Sequence, residues 1–261
     1  MSVLAFDTAT RATSVALVTA AGEALVARDD PGPGQRPAHT TRLMALIAEL
    51  LAAGGGWGTV KTIAVGTGPG TFTGLRIGIA TALALGRARD LPLVGVSTLA
   101  SLALAADPAT VDPAGATLVA DPAADGFDVV LAVLDARRRE VFVAGWETGS
   151  LTAAAPRRGA GNPAAPVARL SAAAMAPAAL AQAGASLGRC LAVGDGALEY
   201  RAVLEAGAIT VAGACSPHHR VDAAVHARLA QAGLAVDGAA VRPEYLRAPD
   251  AELARRAVPA P

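Results

Sequence analysis

The chain is 261 residues long and 53% hydrophobic, and it carries 22 basic and 22 acidic side chains, so its formal net charge is zero. That length suits one large domain or two small ones with a substantial core, and a neutral chain is poorly suited to holding nucleic acid alone by neutralising phosphates. Two cysteines, Cys190 and Cys215, can build neither a disulfide framework nor a zinc cluster.

No run approaches the roughly 18 to 20 uninterrupted apolar residues of a membrane span. The first ten residues, MSVLAFDTAT, lack a basic n-region and already hold an acid at Asp7, which argues against a signal peptide. A reducing, cytoplasmic location is the expectation. Lys61 is the single lysine and aromatics make up 3%, so alanine and arginine dominate in a way that says little about function.

Val3 to Phe6 reads as a short apolar strand closed by Asp7-Thr8-Ala9-Thr10. Ser14 to Thr19 reads as a second strand, and Ala20-Ala21-Gly22 turns into a third near Glu23 to Ala27. Strand, turn, strand, turn, strand at this spacing is an antiparallel meander. Pro31, Gly32, Pro33, Gly34 and Pro37 make a loop. After His39, Leu43, Ile47, Leu50 and Leu51 form one face of a helix that ends at Gly54-Gly55-Gly56. Lys61 to Val65 is a strand, and Gly66-Thr67-Gly68-Pro69-Gly70 a tight turn. Phe72 to Arg89 is a helix with Leu75, Ile79 and Leu83 recurring along it. Leu93 to Val96 is another strand, and Ser97 caps a short helix through Ala105. The order βββαβαβα implies a mixed sheet covered by helices.

Asp107 to Pro113 is the expected boundary, giving an N-terminal unit of residues 1–106 and a smaller one of 107–261. In the second, Val129 to Leu134 and Glu140 to Trp146 read as a hairpin around Ala136-Arg137-Arg138-Arg139. Residues 149–166 read as a long loop, and Ser171 to Ala183 as a helix interrupted by Pro177. A short strand from Leu191 to Val193 ends in Gly194-Asp195-Gly196, and helices follow over Ala197 to Glu205 and Val221 to Ala232. Pro243 to Arg247 shows no regular pattern.

Gly70, Gly74, Gly78, Ala82 and Gly86 form an i, i+4 series of small residues on the second long helix. Glycine costs about 1 kcal/mol relative to alanine inside a helix, so something must approach closely. A phosphate at the helix start, a partner helix along the stripe, or the chain's own sheet would each explain the series. The loop at 66–70 is not a P-loop, because no Lys-Ser or Lys-Thr follows it, and the dinucleotide spacing fails. What remains is backbone N–H groups with Thr71 or Thr73. The Asp7 turn offers a carboxylate and two hydroxyls, as a metal-bound phosphate would need and as ordinary turns also do.

His39 has Leu43 where a second histidine of an H-x-x-x-H metal site would fall. His218, His219 and His226 lie near the last helix without cysteine or acidic partners. Arg137-Arg138-Arg139, flanked by Asp135 and Glu140, reads as a solvated hairpin tip or as an RNA contact. No Gly-x-Ser-x-Gly elbow is present, and no catalytic set is recognisable.

These pieces, taken in order, resemble the TsaB (YeaZ) family of tRNA threonylcarbamoyladenosine biosynthesis subunits. The match is carried by Asp7-Thr8-Ala9-Thr10, His39 ahead of its helix, and above all Gly68-Pro69-Gly70-Thr71-Phe72-Thr73-Gly74-Leu75-Arg76-Ile77-Gly78. Ser97-Thr98-Leu99, Leu134-Asp135-Ala136-Arg137 and Pro243-Glu244-Tyr245-Leu246-Arg247 complete it.

The resemblance implies an α/β fold of the actin-like, Hsp70-like (ASKHA) kind, two lobes of mixed sheet flanked by helices. It implies a non-catalytic partner that dimerises with TsaD, the transferase that forms N6-threonylcarbamoyladenosine at position 37 of tRNAs reading A-starting codons. TsaE joins that complex, tRNA is met only through it, and the free chain can form a homodimer. TsaD holds its metal through H-x-x-x-H, a pair missing here. The implied interface is the first two long helices, with His39, Leu43, Ile47, Gly74, Leu75, Gly78 and Ala82 as the expected contacts. Asp7, Thr8, Thr10, Gly68 and Gly70 form the expected degenerate nucleotide site. No metal or cofactor of its own is expected, with ATP or ADP and magnesium at the TsaD interface as the open possibility. The competing reading is an ATP-binding actin-like kinase or ATPase that uses the Asp7 turn and the Gly66–Gly70 loop.

Overall fold

Val3–Asp7 (β1) is apolar up to its closing Asp7, as suits a strand covered on both faces, and all five residues are buried. It pairs antiparallel with Thr13–Val18 (β2) and parallel with Thr62–Gly68 (β4). Ala24–Asp29 (β3) adds to β2 as an exposed edge, while Leu93–Ser97 (β5) lies parallel to β4. The structure, a computed structural model, describes residues 1–32, 34–107, 126–153, 166–233, 236–237 and 241–247.

Alternate residues of β1 point to opposite faces of the sheet, and each face has its own cover. Leu4 and Phe6 pack with Leu43, Ile47, Leu50 and Ile79 beneath His39–Ala53 (α1) and Phe72–Arg89 (α2). Val3 and Ala5 pack with Leu99, Leu102, Ala227 and Leu229 beneath Thr98–Ala106 (α3) and a late helix, described below. The expected order βββαβαβα is present in full.

Val129–Arg137 (β6) and Glu140–Glu147 (β7) form the expected hairpin, followed by the short helix Ser150–Ala153 (α4). Ala168–Met175 (β8) pairs antiparallel with β7, and Pro177–Gly184 (α5) follows it. Cys190–Val193 (β9), Asp195–Glu199 (α6), Arg201–Ala206 (α7) and Thr210–Val211 (β10) come next. The second sheet has the order β10-β9-β6-β7-β8.

Ala223–Gln231 (α8) and Val236–Asp237 (β11) then return to the first sheet. The helix lies on β1 and β2, and the strand pairs with β5, giving the order β11-β5-β4-β1-β2-β3. Val130, Ala132 and Leu134 of the second sheet share one buried cluster with Val3, Ala5 and α3, so the two lobes meet in a common core. The expected divide at 106/107 adjoins residues outside the described ones, and the carboxylate of Asp107 receives Gly149 N–H on both oxygens at 2.9 Å.

Four expectations are corrected. Residues 168–175 are a strand, not the start of a helix: the alanine run suggests a helix, but Ala173 and Ala174 are paired with Val143 and Phe142. Pro177 opens α5 at its first turn, where a missing N–H costs nothing, rather than interrupting a helix. Residues 197–205 divide at Tyr200 into two short helices. Leu83 leaves the face of Leu75 and Ile79 and is 45% exposed, because i, i+4 steps drift about 40° each around a helix. The 149–166 loop begins with α4, and residues 154–165 of it lie outside the described ones.

Candidate functional site

β1 delivers Asp7 to the junction of the two lobes, where the carboxylate is fully engaged. Its Oδ1 accepts Ala9 N–H at 2.7 Å, and its Oδ2 accepts the Thr98 hydroxyl at 2.7 Å and His226 Nε2–H at 3.0 Å. His226 Nδ1 lies 2.8 Å from Ser101 Oγ. Asp7, Thr98, Ser101 and His226 are all buried. Burial pushes the Asp7 carboxyl up, yet the hydrogen bond and charge of His226, then Thr98 and Ala9, outweigh it and hold the group below its ordinary value.

The glycines around this carboxylate are explained by the chain's own atoms. A Cβ on Gly66 of β4 would sit 1.9 Å from Asp7 Oδ2. A Cβ on Gly70, just ahead of α2, would sit 2.3 Å from Ala9 O, and on α2 one on Gly74 would sit 2.0 Å from Thr8 O and one on Gly78 2.4 Å from Thr8 Oγ1. The Thr8 hydroxyl donates to Gly74 O at 2.7 Å, and Thr71 N–H donates to Ala9 O at 2.7 Å. The small stripe therefore lets α2 press against the Asp7 turn of the same molecule.

Magnesium-bound phosphate does not fit at this turn. Both Asp7 oxygens are occupied, the Thr8 hydroxyl is turned into α2, and Gly68 is backed by Leu75 and by Glu244 O. Glu244 N–H also donates to Thr67 O at 2.8 Å, laying the segment 241–247 over the loop. Thr10 is placed apart from Asp7. It lines an interlobe cleft of about 170 Å³ with Arg11, Arg28, Asp195 and Arg220. Burial and the neighbouring Asp135 raise the Asp195 carboxyl above its ordinary range, although backbone N–H groups and Arg137 act against them.

The residues expected at a partner interface are also internal. His39, Leu43, Ile47, Gly74, Leu75, Gly78 and Ala82 are buried within the isolated chain, so these side chains face its own sheet and turn. His39 Nδ1 pairs with Thr13 Oγ1 at 2.9 Å, and burial lowers the imidazole pKa against the pull of Asp7. Leu43 stands one turn further on in apolar surroundings. Among the described residues no group of three or more His, Cys, Asp or Glu side chains is placed to hold a metal.

The surface that α1 and α2 expose is mixed: Thr40, Thr41, Arg42, Glu49, Thr73 and Arg89 stand on it beside apolar and small residues. Met44, Ala45, Ala48 and Ala52 lie outward on α1, and Phe72, Arg76, Ala80, Leu83, Ala84 and Arg87 on α2. Phe72 stacks on Tyr245 with centroids 5.4 Å apart and planes at 28°. The Arg76 guanidinium lies 3.8 Å above Phe72, and its Nε–H donates to the Tyr245 hydroxyl at 3.2 Å. Phe72 and Arg76 fall inside the sequence motif, but nothing local marks Tyr245 as their neighbour. His226 was equally hidden, since it is separated from Asp7 by 219 positions.

The Arg137-Arg138-Arg139 tip takes positive φ at all three residues, and Arg137 pairs with Asp135 at 3.0 Å. Among the described residues no helix is long and apolar enough to cross a membrane.

Two mixed sheets flanked by helices, with the buried Asp7 carboxylate between them, make this a two-lobed α/β protein of the actin-like class. The family model described as "TsaD: tRNA N6-adenosine threonylcarbamoyltransferase" matches residues 35–254, and the chain belongs to this family. It is 37% identical over 148 residues to the Escherichia coli K12 "tRNA threonylcarbamoyladenosine biosynthesis protein TsaB", covering 56% of this chain and 55% of that protein. It is 41% identical over 107 residues to the Haemophilus influenzae protein of the same name, covering 41% and 43%. The matched stretches thus span about half, or less, of these curated relatives. "YeaZ from Pseudomonas aeruginosa" superposes with a TM-score of 0.63 at 25% identity, covering 94% of this chain and 99% of that one. An uncharacterised protein with similarity to peptidase YEAZ, from the same organism, gives 0.66 at 28% with the same coverage. The resemblance to TsaB and YeaZ read from the sequence holds in both sequence and fold.

Proposed function

We propose that the chain is a non-catalytic subunit of the machinery that forms N6-threonylcarbamoyladenosine at position 37 of tRNAs reading A-starting codons, and that it acts by docking to TsaD. The observation that carries this reading is the sealing of Asp7. The carboxylate at the lobe junction is bonded to Ala9, Thr98 and His226 of the same chain, out of reach of metal, phosphate or substrate. Leu43, standing where a second metal-binding histidine would be needed, supports the same reading.

Docking uses the outward face of α1 and α2. Ala45, Ala48 and Ala52 with Ala80 and Ala84 let helices approach closely, and Met44, Phe72 and Leu83 supply apolar area. TsaE joins the assembled pair, tRNA is met through TsaD, and the same face accounts for a homodimer when the chain is alone. Any ATP or ADP with magnesium would belong to the shared interface. All of this takes place in the cytoplasm.

Reconstitution tests the reading. The purified chain alone should modify no tRNA, and adding it to TsaD, TsaE and the threonylcarbamoyl-adenylate synthase should restore modification. Transfer by the chain alone, or tight binding of Mg-ATP that is lost in Asp7→Ala, would overturn it in favour of an ATP-dependent enzyme.

A further inference from the structure

The segment 241–247 ties the two lobes together at the N-terminal end of α2. Glu244 N–H holds Thr67 O of the first lobe, Leu246 packs into the shared core, and Arg247 pairs with Glu140 of β7 in the second lobe at 2.9 Å. Between these anchors Tyr245 is set against Phe72 and Arg76. The ring pair is only partly covered: Phe72 is 39% exposed and Tyr245 42%. An aromatic pair fixed by stacking and a cation–π contact, yet left half in water, is an anchor already organised for binding, since little side-chain freedom is left to lose.

The charge that α2 presents has one sign. α2 carries Arg76, Arg87 and Arg89 and no acidic residue. On the facing helix Arg42 is paired with Asp29 of β3, and Glu49 is the acid of α1. Arg76 uses its Nε–H within the cluster while its residue remains exposed. The exposed Arg76 beside the ring pair is therefore complementary to a protein helix that brings apolar side chains and a carboxylate.

We propose that Tyr245 is part of the docking face and that Arg76 receives a carboxylate from the helix laid against it. Glu140–Arg247 is a positioning pair, holding the strap that presents Tyr245. The inference rests on the docking role argued above, with TsaD as the occupant. It adds that affinity depends on a salt bridge in the other lobe that the partner does not touch.

The experiment measures TsaD affinity of the full chain by calorimetry across a salt series, with thermal melting of each variant as a check on folding. Tyr245→Ala should weaken binding about tenfold or more, as loss of an interfacial aromatic anchor does. Tyr245→Phe, which keeps the ring and loses the bond to Arg76, should fall between it and the parent. Arg76→Glu should weaken binding and flatten its salt dependence. Glu140→Arg should weaken it by about two- to fivefold, the scale of a partly exposed ion pair, and adding Arg247→Glu should recover affinity. Leu83→Glu serves as the control on α2. If Leu83→Glu abolishes binding while the Tyr245 and Arg76 variants bind normally, the strap inference is overturned and the docking role stands. If Leu83→Glu also binds normally, the docking role itself falls. If the reversed pair recovers nothing, the coupling to the second lobe is wrong.

Discussion

His226 Nε2 lies 3.0 Å from Asp7 Oδ2, joining α8 near the end of the chain to the first strand. Both side chains are buried, and Thr98 and Ser101 of α3 complete the hydrogen bonding. Because α3 and α8 are the helices packed between the sheets, this set fixes how the lobes sit together as well as closing the Asp7 turn.

Removing one partner of a buried pair strands the other without solvent. His226→Ala should therefore destabilise the protein by about 3 kcal/mol or more. Asp7→Asn, which keeps the shape and can still accept from Thr98, should cost less. Urea denaturation of the three proteins gives the comparison, and an unchanged midpoint in His226→Ala would contradict the pairing.

Acidification should act in two stages. The folded His39 pKa is lowered by burial from its ordinary 6.5, so the unfolded chain takes up that proton first and stability falls as pH drops below about that value. Asp7 is held below its ordinary 3.8 in the folded state, so its contribution is full above that pH and is lost on further acidification. Glu244 and Asp195 act in the opposite sense: burial raises both, so the folded state binds their protons more readily than the unfolded chain. Melting temperature against pH should show His39→Gln flattening the first stage and leaving the second in place.

Gly74→Ala sets two effects against each other. Helix propensity favours alanine by about 1 kcal/mol, but the new Cβ would meet Thr8 O at 2.0 Å, a backbone atom in a strand-end turn that cannot swing away. Overpacking of this kind costs about 1 to 3 kcal/mol, so the variant should be less stable than its parent. A higher melting temperature would show that the turn yields.

Met44→Glu places a charge on the outward face of α1, where Met44 is 47% exposed. Folding stability should change little, because surface substitutions usually stay within about 0.5 kcal/mol, while binding to TsaD should be lost. Leu43→Glu, one residue earlier and buried, should instead unfold the protein. Thermal melting alongside a pull-down separates the two outcomes.

The sequence was most legible where structure is local. Strand and helix order through residue 106 followed from apolar periodicity and from Gly and Pro punctuation. The block from Gly68 to Gly78 sufficed to point to the family. The alanine-rich stretch at 168–175 misled because its strand state comes from pairing with β7, a contact propensity cannot register.

The linear pattern by itself determined that α2 needs small residues along one line, since glycines at 70, 74 and 78 are too costly to keep without a close neighbour. It could not say which neighbour, because that depends on which atoms the fold brings to the stripe. Tertiary structure decided that Thr8 and Ala9 fill it, with their backbone and the Thr8 hydroxyl, so the buried line serves the chain's own turn. The docking proposed above accordingly uses the opposite side of α2, with Phe72, Arg76 and Leu83. A helix with one face closed against a backbone has only its other face left to offer.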